Sequence, residues 1–577
     1  MKKILVYLKE YKKETVLAPL FKLLEASFEL LVPIVVAAIV DTGIKNGDKR
    51  YVMYCVLIMA ALGVIGLTCS LTAQYFSAKA AVGYSCKLRR VVFSHIQSLS
   101  FSQIDELGTS TLITRMTSDI NQIQTGVNLV LRLLLRSPFV VFGAMIMAFI
   151  VDVKAAIIFV VIIPILFVVV FAIMFLTIPL YKQVQKGLDG ILGKTRENLS
   201  GTRVIRAFNK QDDEIEEYDE KNEGLNRLQN KVGSISNLMN PITFVLINGA
   251  TIILIYVGAI RVDEGILETG QVVALVNYMS QILVELIKMA NLIVTVNKAV
   301  ACGNRVSACL DIPVEKAGKE DDETENSESS SDNAVEFRNV SLAYNNSGEM
   351  ALENIDFAVK KGQTVGIIGG TGSGKTSLVH LIPAFYKATE GEVFVDGKNV
   401  SSYIGEELSD KVAIVMQKAV LFKGTIRDNI KWGKKDATDE EINEALELAV
   451  AKDIVEKKEN GLDEIIEQAG RNLSGGQRQR LTIARALVKK PEILIFDDSA
   501  SALDYATDAA LRKNLKQLSY NPTVFIVSQR TSSIKHADII VVLDDGRVAG
   551  MGTHDSLLEN CEVYREIYES QYRKAGE

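Results

Sequence analysis

Six long apolar segments in the first 300 residues constrain the fold of this chain more than any other feature. A transmembrane helix needs about 20 consecutive, mostly apolar residues. The six candidates are Val16–Val40, Val52–Ala73, Leu129–Val151, Ala155–Leu180, Pro241–Ile260 and Val272–Val296. They predict a polytopic α-helical membrane domain with six transmembrane helices.

The overall composition agrees with a chain that is part membrane and part cytosol. Among the 577 residues, 23% are charged, yet the mean hydropathy is +0.17. A uniformly soluble chain with this many charges would average below zero, so the apolar residues must be segregated. The net charge of −6 excludes a basic nucleic-acid binder on electrostatic grounds, and no nucleic acid is expected among the partners.

The distribution of lysine predicts the orientation in the membrane. Five lysines precede the first span, and cytoplasmic segments carry an excess of Lys and Arg. We therefore expect the N-terminus and both long intervals between spans to be cytoplasmic, in a multi-pass protein of the cytoplasmic membrane. Charged but apolar-periodic sequence continues beyond the spans, which predicts helices that extend into the cytosol. Residues 1–14 have apolar side chains at helical spacing and predict an interfacial helix.

Some ionisable residues fall inside the predicted spans, where each is costly by roughly 2.5–3.5 kcal/mol. They are Glu25, Glu29, Arg132, Arg136, Glu285 and Lys288. Glu25 and Glu29 share one helical face, and Glu285 could pair with Lys288 along its own helix. One interpretation is a polar lining for a substrate cavity, which would suit cationic amphiphiles. The alternative is that the arginines reach the interface and the acids satisfy neighbouring helices.

The sequence pattern changes after about residue 315. Residues 315–333 are acidic, lack large apolar residues and predict a disordered linker. Strand-like runs then alternate with helical ones, which predicts an α/β domain. These runs are Gln363–Ile368, Glu392–Val395, Val412–Val415, Ile493–Phe496, Thr523–Val527 and Ile539–Leu543. The expected organisation is an interfacial helix at 1–14, a membrane domain at 15–312, a linker at 313–333 and an α/β domain at 334–577.

A phosphate-binding motif stands at the start of the α/β domain. Its residues are Gly369, Gly370, Thr371, Gly372, Ser373, Gly374, Lys375 and Thr376, and they match G-x-x-x-x-G-K-[ST]. A β-like run precedes the motif, and a helical run follows it that begins at Ser377, a further candidate nucleotide-binding residue. Backbone N–H groups of such a loop surround phosphates, the lysine neutralises their charge, and the Thr376 hydroxyl can ligate Mg²⁺. The motif predicts ATP and Mg²⁺ as cofactors.

Two further motifs define the class of this domain. Ile493–Asp497 is a buried β-run that ends in an acid, as needed on the magnesium side of a nucleotide. Just upstream, Leu473 is followed by Ser474, Gly475, Gly476 and Gln477, the signature of ATP-binding cassette (ABC) proteins. Residues 334–577 therefore resemble an ABC nucleotide-binding domain, and the six spans resemble the membrane domain of an ABC exporter. The fold class expected is a six-helix membrane domain followed by an α/β P-loop ATPase.

The resemblance implies roles for further residues. Tyr344 matches the aromatic residue that stacks on adenine, and Gln417 matches the glutamine that contacts Mg²⁺ and the attacking water. The segment Ser501–Asp504 matches the loop that crosses to a partner domain. Phe101–Asp105 and Val204–Asn209 lie where exporters place the cytoplasmic helical turns that transmit motion. The signature residues would complete a nucleotide site on a second half-transporter.

Two positions depart from the family pattern, and both affect hydrolysis. The residue after Asp497 is Asp498, where exporters usually have Glu, and Gln529 stands where the family has a His that contacts the γ-phosphate. Shortening Glu to Asp withdraws the carboxylate by roughly 1.5 Å, and a misplacement of about 1 Å can cost on the order of 10²-fold in rate. None of the four histidines is placed by the sequence to substitute. The phosphate loop and the signature are intact, so the resemblance implies the degenerate-site subunit of a heterodimeric bacterial multidrug exporter.

The sequence leaves alternatives open. The preferred hypothesis is one half of a heterodimer that exports small amphiphilic molecules and, by itself, is a weakly active ATPase. The second is a homodimeric lipid or drug flippase that tolerates Asp498 and Gln529 with slow turnover. A third is an ATP-gated regulator or channel without transport. Substrate and partner identity cannot be read from the residues.

Overall fold

The chain forms two compact units. The computed structural model describes residues 2–314, 332–344, 348–404 and 406–572. The first unit comprises Met1–Gln97 and Ser110–Pro313, and the second comprises Ser98–Thr109 and Val314–Glu577. Most of the predicted acidic linker lies outside the described residues. The short segment Ser98–Thr109 is therefore joined by its contacts to the α/β domain, although it lies between the second and third spans in the sequence.

The described part of the chain contains six helical runs long and apolar enough to cross a membrane, as predicted. They are Lys3–Ile44, Lys49–Gln97, Thr109–Val151, Val153–Ser200, Gln211–Asp263 and Thr269–Leu310. A helix rises 1.5 Å per residue, so the 49 residues of Lys49–Gln97 span about 70 Å. The hydrocarbon core of a bilayer is about 30 Å thick. The helices therefore extend well beyond the hydrocarbon, as the charged periodic sequence predicts.

Short breaks divide several of these runs. The principal α-helices of the first unit are Lys12–Ala38, Lys49–Gln97, Ile120–Leu133, Arg136–Val151, Val153–Ser200, Thr202–Ala207, Gln211–Asn237, Met239–Asp263 and Thr269–Leu310, with shorter helices at Lys2–Leu5 and Thr109–Thr114. The segment predicted as an interfacial helix consists of Lys2–Leu5 and a 3-10 turn, Val6–Tyr11, which leads into the first long helix. Between the helices that end at Val151 and begin at Val153, only Asp152 is extended. Its carboxylate accepts a hydrogen bond from the Ala155 N–H (2.8 Å) and caps the second helix.

The second unit is built on two larger sheets and a small one. In chain order its strands are β1 Asn333–Ala343, β2 Met350–Lys360, β3 Thr364–Gly369, β4 Glu390–Val395, β5 Lys398–Asn399, β6 Val412–Val415, β7 Gly424–Thr425, β8 Ile465–Ile466, β9 Ile493–Asp497, β10 Thr523–Val527, β11 Ile539–Asp544 and β12 Arg547–Gly552. The orders are β2-β1-β4-β5, β12-β11-β3-β10-β9-β6 and β7-β8. The predicted runs match six of these strands within two residues at each end. The antiparallel pair β1 and β2 was not predicted.

Helices cover the six-stranded sheet, whose central strands are parallel. The α-helices of this unit are Phe101–Leu107, Lys375–Leu381, Glu407–Lys411, Ile426–Lys431, Asp439–Leu448, Lys452–Glu456, Gly475–Leu487, Tyr505–Leu515, Thr531–Ile534, His554–Asn560 and Glu562–Tyr572. Every residue of β9 and β10 is buried, which explains their continuous apolar sequence. Because β3, β9 and β10 are parallel neighbours, their carboxyl ends meet at one edge, where open α/β sheets bind ligands.

Candidate nucleotide site

The phosphate loop connects β3 to the helix Lys375–Leu381. Gly372 and Gly374 have φ angles of +87° and +90°, a region that side chains disfavour. A Cβ atom on Gly374 would also lie 2.7 Å from the carbonyl oxygen of Ala351. The backbone therefore needs glycine at both positions, and the loop has the tight path that directs N–H groups inward around an anion.

Lys375 lies at the centre of this loop. Its ammonium donates hydrogen bonds to the carbonyl oxygens of Gly369 (2.9 Å) and Gly370 (2.5 Å). Burial lowers the pKa of this lysine, while the nearby carboxylates of Asp498 and Asp497 oppose that shift. The ammonium also donates to the Ser373 hydroxyl (3.4 Å), so its direct hydrogen-bond partners are neutral and its charge is placed to neutralise phosphate. The phosphate loop and Lys375 thus fit a nucleoside triphosphate.

Thr376 and Asp497 form the metal side of the site. The Thr376 hydroxyl donates to Asp497 Oδ1 at 2.9 Å, although the two residues are separated by 121 positions in the sequence. Asp497 is the last residue of β9 and is 1% exposed. A hydroxyl and a carboxylate oxygen are hard ligands of the kind that Mg²⁺ prefers. This pair therefore fits the magnesium role predicted for both residues.

Asp498 and Gln417 meet beside this pair. The Gln417 side-chain amide donates to Asp498 Oδ2 at 3.3 Å. Asp498 is buried and has φ +44°, a left-handed conformation, and its N–H donates to the Val527 carbonyl oxygen. Burial raises the pKa of Asp498, and the charge of Asp497 raises it further. The structure therefore brings together the two residues predicted to act on water. Contact of Gln417 with Mg²⁺ stays a prediction.

Gln529 follows the end of β10, two residues after Val527, and is exposed. The backbone carbonyl of Gln529 accepts a hydrogen bond from the Gln571 side chain (2.7 Å). This position places residue 529 at the same sheet edge as Asp498. A role for its side chain toward the γ-phosphate is not tested by these contacts.

Tyr344 lies beside the phosphate-loop helix. Its hydroxyl is 2.8 Å from the Ser377 hydroxyl, and its ring meets the Tyr386 ring edge-on at a centroid distance of 5.2 Å. The side chain is half-buried. These contacts fix the tyrosine next to a predicted nucleotide-binding residue, and stacking on adenine stays a prediction.

The signature residues begin the helix Gly475–Leu487. The Ser474 hydroxyl accepts from the Gln477 N–H (3.2 Å), and the Gln477 side chain accepts from the Ser474 N–H (2.9 Å). This reciprocal capping box orients the helix N-terminus. Ser474 and Gly475 are exposed, so the N-terminal dipole of this helix faces outward from the unit.

The structure adds a residue that the sequence reasoning excluded. His380 Nε2 lies 3.5 Å from Asp497 Oδ2, and the histidine is 9% exposed. The sequence contained a usable signal, because Thr376 and His380 are four residues apart and share one helical face. Only the fold could show that Asp497 faces them both.

Comparisons with known proteins agree with this architecture. The family described as "ABC transporter transmembrane region" matches residues 15–286, and the family described as "ABC transporter" matches residues 352–501. The Bacillus subtilis (strain 168) protein "Uncharacterized ABC transporter ATP-binding protein YfiB" is 34% identical over 100% of this chain and 99% of that protein. "Putative multidrug export ATP-binding/permease protein YgaD" of the same organism is 31% identical over 99% and 98%.

A solved structure has the same fold. The structure of a bacterial Atm1-family ABC exporter with ATP bound superimposes with a TM-score of 0.80 at 22% identity, covering 98% of this chain and 99% of that chain. The chain therefore belongs to the ABC transporter family. It combines a six-helix exporter-type membrane domain with an ABC ATPase domain in one polypeptide, and is a multi-pass membrane protein.

Proposed function

We propose that this chain is one subunit of a heterodimeric, ATP-driven exporter of small amphiphilic molecules in the cytoplasmic membrane, with its N-terminus and ATPase domain in the cytoplasm. In this proposal its own nucleotide site holds ATP and hydrolyses it slowly, and its signature completes the partner's hydrolytic site. One observation carries the proposal. Lys375, Thr376 and Asp497 lie together in an arrangement suited to phosphate and magnesium, whereas Asp498 and Gln529 depart from the family pattern at the edge where water would be positioned.

The geometry at Asp498 supports slow hydrolysis. When bound, ATP would supply the phosphoanhydride bond whose cleavage drives transport, and Mg²⁺ would neutralise phosphate charge. Asp498 is confined by its buried position, its left-handed backbone and the hydrogen bond from Gln417. Its carboxylate therefore has little freedom to make up the missing methylene. A residue that positions or deprotonates water must come within hydrogen-bond reach of it.

Exposed groups on each unit support a partner subunit. Val204 and Phe208, on and just after the short helix Thr202–Ala207, are 60% and 74% exposed. The signature serine and glycine face outward at their helix N-terminus. ABC exporters typically work as dimers, and both features are what a second half-transporter would cover.

A cavity of about 370 Å³ in the membrane unit is the candidate substrate site. It is lined by apolar and polar residues together, including Val140, Gln281 and Lys288. Buried Arg136 donates to Glu29 (2.5 Å) and Glu285 (2.6 Å), and Lys288 donates to Glu285 (2.8 Å). Two cations thus balance two anions. Glu29 lines this cavity with its charge paired to Arg136, and its contact with substrate stays a prediction.

Glu25 is paired in the same way. Lys22 donates to its carboxylate at 2.5 Å and contacts the Ser70 hydroxyl at 3.2 Å. An electrically balanced cavity favours amphiphiles with a neutral or zwitterionic polar group over strongly cationic ones, because an added charge would be left uncompensated in a low-dielectric site. We therefore propose amphiphiles of the neutral or zwitterionic kind as substrates.

Nucleotide occupancy after turnover tests the proposal. The chain is co-purified with its partner, loaded with Mg²⁺ and labelled ATP, allowed to turn over and then separated from free nucleotide. A photoreactive ATP analogue reports which phosphate loop retains intact ATP. We expect ATP to persist at Lys375 while the partner's site contains ADP, and rapid loss from both sites would overturn the degenerate-site proposal.

A separate preparation of the chain alone distinguishes the homodimer. Chain purified without any partner is assayed for ATPase and for ATP-dependent uptake of amphiphiles into inverted vesicles, with Lys375→Ala as the inactive control. Robust activity of the single chain that this substitution abolishes would favour a homodimeric flippase. Nucleotide binding without accumulation of any tested amphiphile, even with the partner present, would favour a regulator over a transporter.

A further inference from the structure

His380 lies next to the carboxylate of Asp497, the predicted magnesium ligand, on the side opposite Thr376. Thr376 donates to Asp497 Oδ1 (2.9 Å), and His380 Nε2 lies 3.5 Å from Asp497 Oδ2. The two oxygens of one carboxylate therefore face two residues that are one helical turn apart. His380 Nε2 is completely buried and has no hydrogen-bond partner among the described residues. A buried polar atom of this kind needs an explanation, because leaving it unsatisfied is costly.

The other side of the imidazole packs against two aromatic residues. The ring is nearly parallel to Tyr386, with an interplanar angle of 6° and a centroid distance of 6.1 Å. It meets Phe385 edge-on at 5.6 Å. Phe385 lies four residues beyond Leu381, the last residue of the phosphate-loop helix, and its N–H donates to the His380 carbonyl oxygen (3.1 Å). Both aromatic residues are half-buried.

The same aromatic pair holds the short helix Phe101–Leu107. Phe101 stacks on Phe385 with centroids 4.3 Å apart, and the Tyr386 hydroxyl donates to the Asp105 carboxylate. Burial and the neighbouring Asp105 carboxylate raise the pKa of Tyr386, so its hydroxyl stays protonated as the donor. Phe101 and Asp105 are four residues apart and share a helical face. Continuous contacts therefore run from this helix through Phe385 and Tyr386 to His380.

We propose that His380 is a positioning residue that couples the helix Phe101–Leu107 to the magnesium carboxylate of Asp497. The inference rests on the ATP site described above. With a proton on Nε2, the imidazole directs a donor at Asp497 Oδ2 and restrains rotation of the carboxylate. Partners of this kind orient metal ligands, and their loss typically costs 10–100-fold in metal affinity. Because the ring packs on Phe385 and Tyr386, a shift of the helix moves the donor.

Nucleotide affinity with and without magnesium tests whether His380 orients the Asp497 carboxylate. Full-length protein in detergent is titrated with a fluorescent ATP analogue, once with Mg²⁺ and once with EDTA. His380→Leu should reduce the magnesium-dependent gain in affinity about tenfold, with affinity in EDTA within twofold of wild type. His380→Gln, whose amide places a donor near the position of Nε2, should restore most of the gain. His536→Leu removes an exposed histidine from the same unit and is the matched control.

The outcomes separate this inference from the ATP site itself. An unchanged magnesium-dependent gain in His380→Leu, or an equal loss in EDTA, would overturn the positioning role. Failure of His380→Gln to restore the gain would do the same, provided that its melting temperature matches wild type. Absence of any nucleotide binding by the wild-type protein, in contrast, would contradict the proposed ATP site, for which Lys375→Ala is the reference.

A fluorescent reporter on the helix tests the coupling. Phe101→Trp in a Trp432→Phe background leaves a single tryptophan, since the chain has one. Saturating Mg²⁺ and ATP should change its emission when residue 380 is His. The change should fall by at least half in His380→Leu at concentrations that saturate both proteins. An equal change in the two proteins would show that the helix responds by another route and would overturn the coupling.

Discussion

The two halves of the nucleotide site differ in how well they preserve the groups that their chemistry needs. On the phosphate side, glycines allow the left-handed turns, Lys375 is centred in the loop, and Thr376 meets Asp497 at 2.9 Å. On the water side, a short carboxylate is held in a strained conformation and an exposed glutamine replaces an imidazole. Both halves lie at the carboxyl edge of one sheet. Nucleotide binding and hydrolysis depend on different side chains, so one can be lost without the other.

The largest expected effect comes from the phosphate half. Lys375→Ala removes the buried cation of the loop, and we expect ATP affinity to fall by about 10²-fold or more, because truncating one partner of a buried charge interaction typically costs 2–5 kcal/mol. Titration with a fluorescent ATP analogue measures the change. Lys457→Ala, at a side chain that is 76% exposed, is the control and should bind normally. Near-normal ATP affinity of Lys375→Ala would contradict the assignment of phosphate binding to this loop.

The next effect concerns the water half. The double variant Asp498→Glu with Gln529→His should accelerate ATP cleavage at this chain's own site by about 10–10²-fold, since it restores carboxylate reach and an imidazole. Single-turnover conversion of bound ATP to ADP measures the rate, and each single substitution should give a smaller increase. If the double variant cleaves no faster than wild type, the two substitutions do not limit hydrolysis and the contrast between the halves fails.

A third variant should affect neither half directly. Phe208→Ala removes an apolar side chain that is 74% exposed just after the short helix Thr202–Ala207 of the membrane unit. We expect substrate stimulation of ATPase to fall about three- to fivefold, as for a typical interface truncation, with ATP affinity unchanged. Leu199→Ala, at a residue that is 73% exposed, is the matched control. A change in ATP affinity in Phe208→Ala would show that the turn influences the site itself.

The smallest expected effect is a change in thermal stability caused by the buried charge of Asp498 on the water side. The pKa of Asp498 is raised above its ordinary value of 3.8, so the ionised carboxylate destabilises the fold. This destabilisation is absent at low pH and develops as pH rises through the raised pKa. Asp498→Asn should therefore raise the melting temperature by about 1–3 °C at neutral pH, without nucleotide or Mg²⁺. The difference should shrink as the pH approaches 4, and a difference independent of pH would contradict the assignment.

Sequence reasoning predicted the elements of this chain best where a pattern is local. Apolar length alone marked the six spans, and continuous apolar runs marked β9 and β10 because both faces of those strands are buried. The glycine spacing of the phosphate loop reports a backbone requirement and could be read directly. The strand β1 was missed because its exposed and buried stretches follow an irregular pattern, with register shifts along its pairing with β2. In β2, buried and exposed residues alternate from Asn354 to Lys360, and this signal was readable but overlooked.

Contacts between distant residues were beyond the reach of the sequence. Arg136 and Glu285 are 149 positions apart, and the sequence did not show that Arg136 pairs with both Glu285 and Glu29. Nothing in the sequence indicated that His380 faces Asp497, which is 117 positions away. The segment Ser98–Thr109 was assigned to the membrane domain by its place in the chain, yet it packs with the ATPase unit.

The sequence by itself determined that this chain crosses a membrane and carries an ABC ATPase, because apolar length and backbone-constrained motifs are properties of consecutive residues. Only the tertiary structure decided which charges pair, which histidine faces Asp497 and which helix contacts the aromatic residues beside it. Those outcomes depend on how strands and helices bring side chains together from positions a hundred or more residues apart, and a linear pattern does not contain that information.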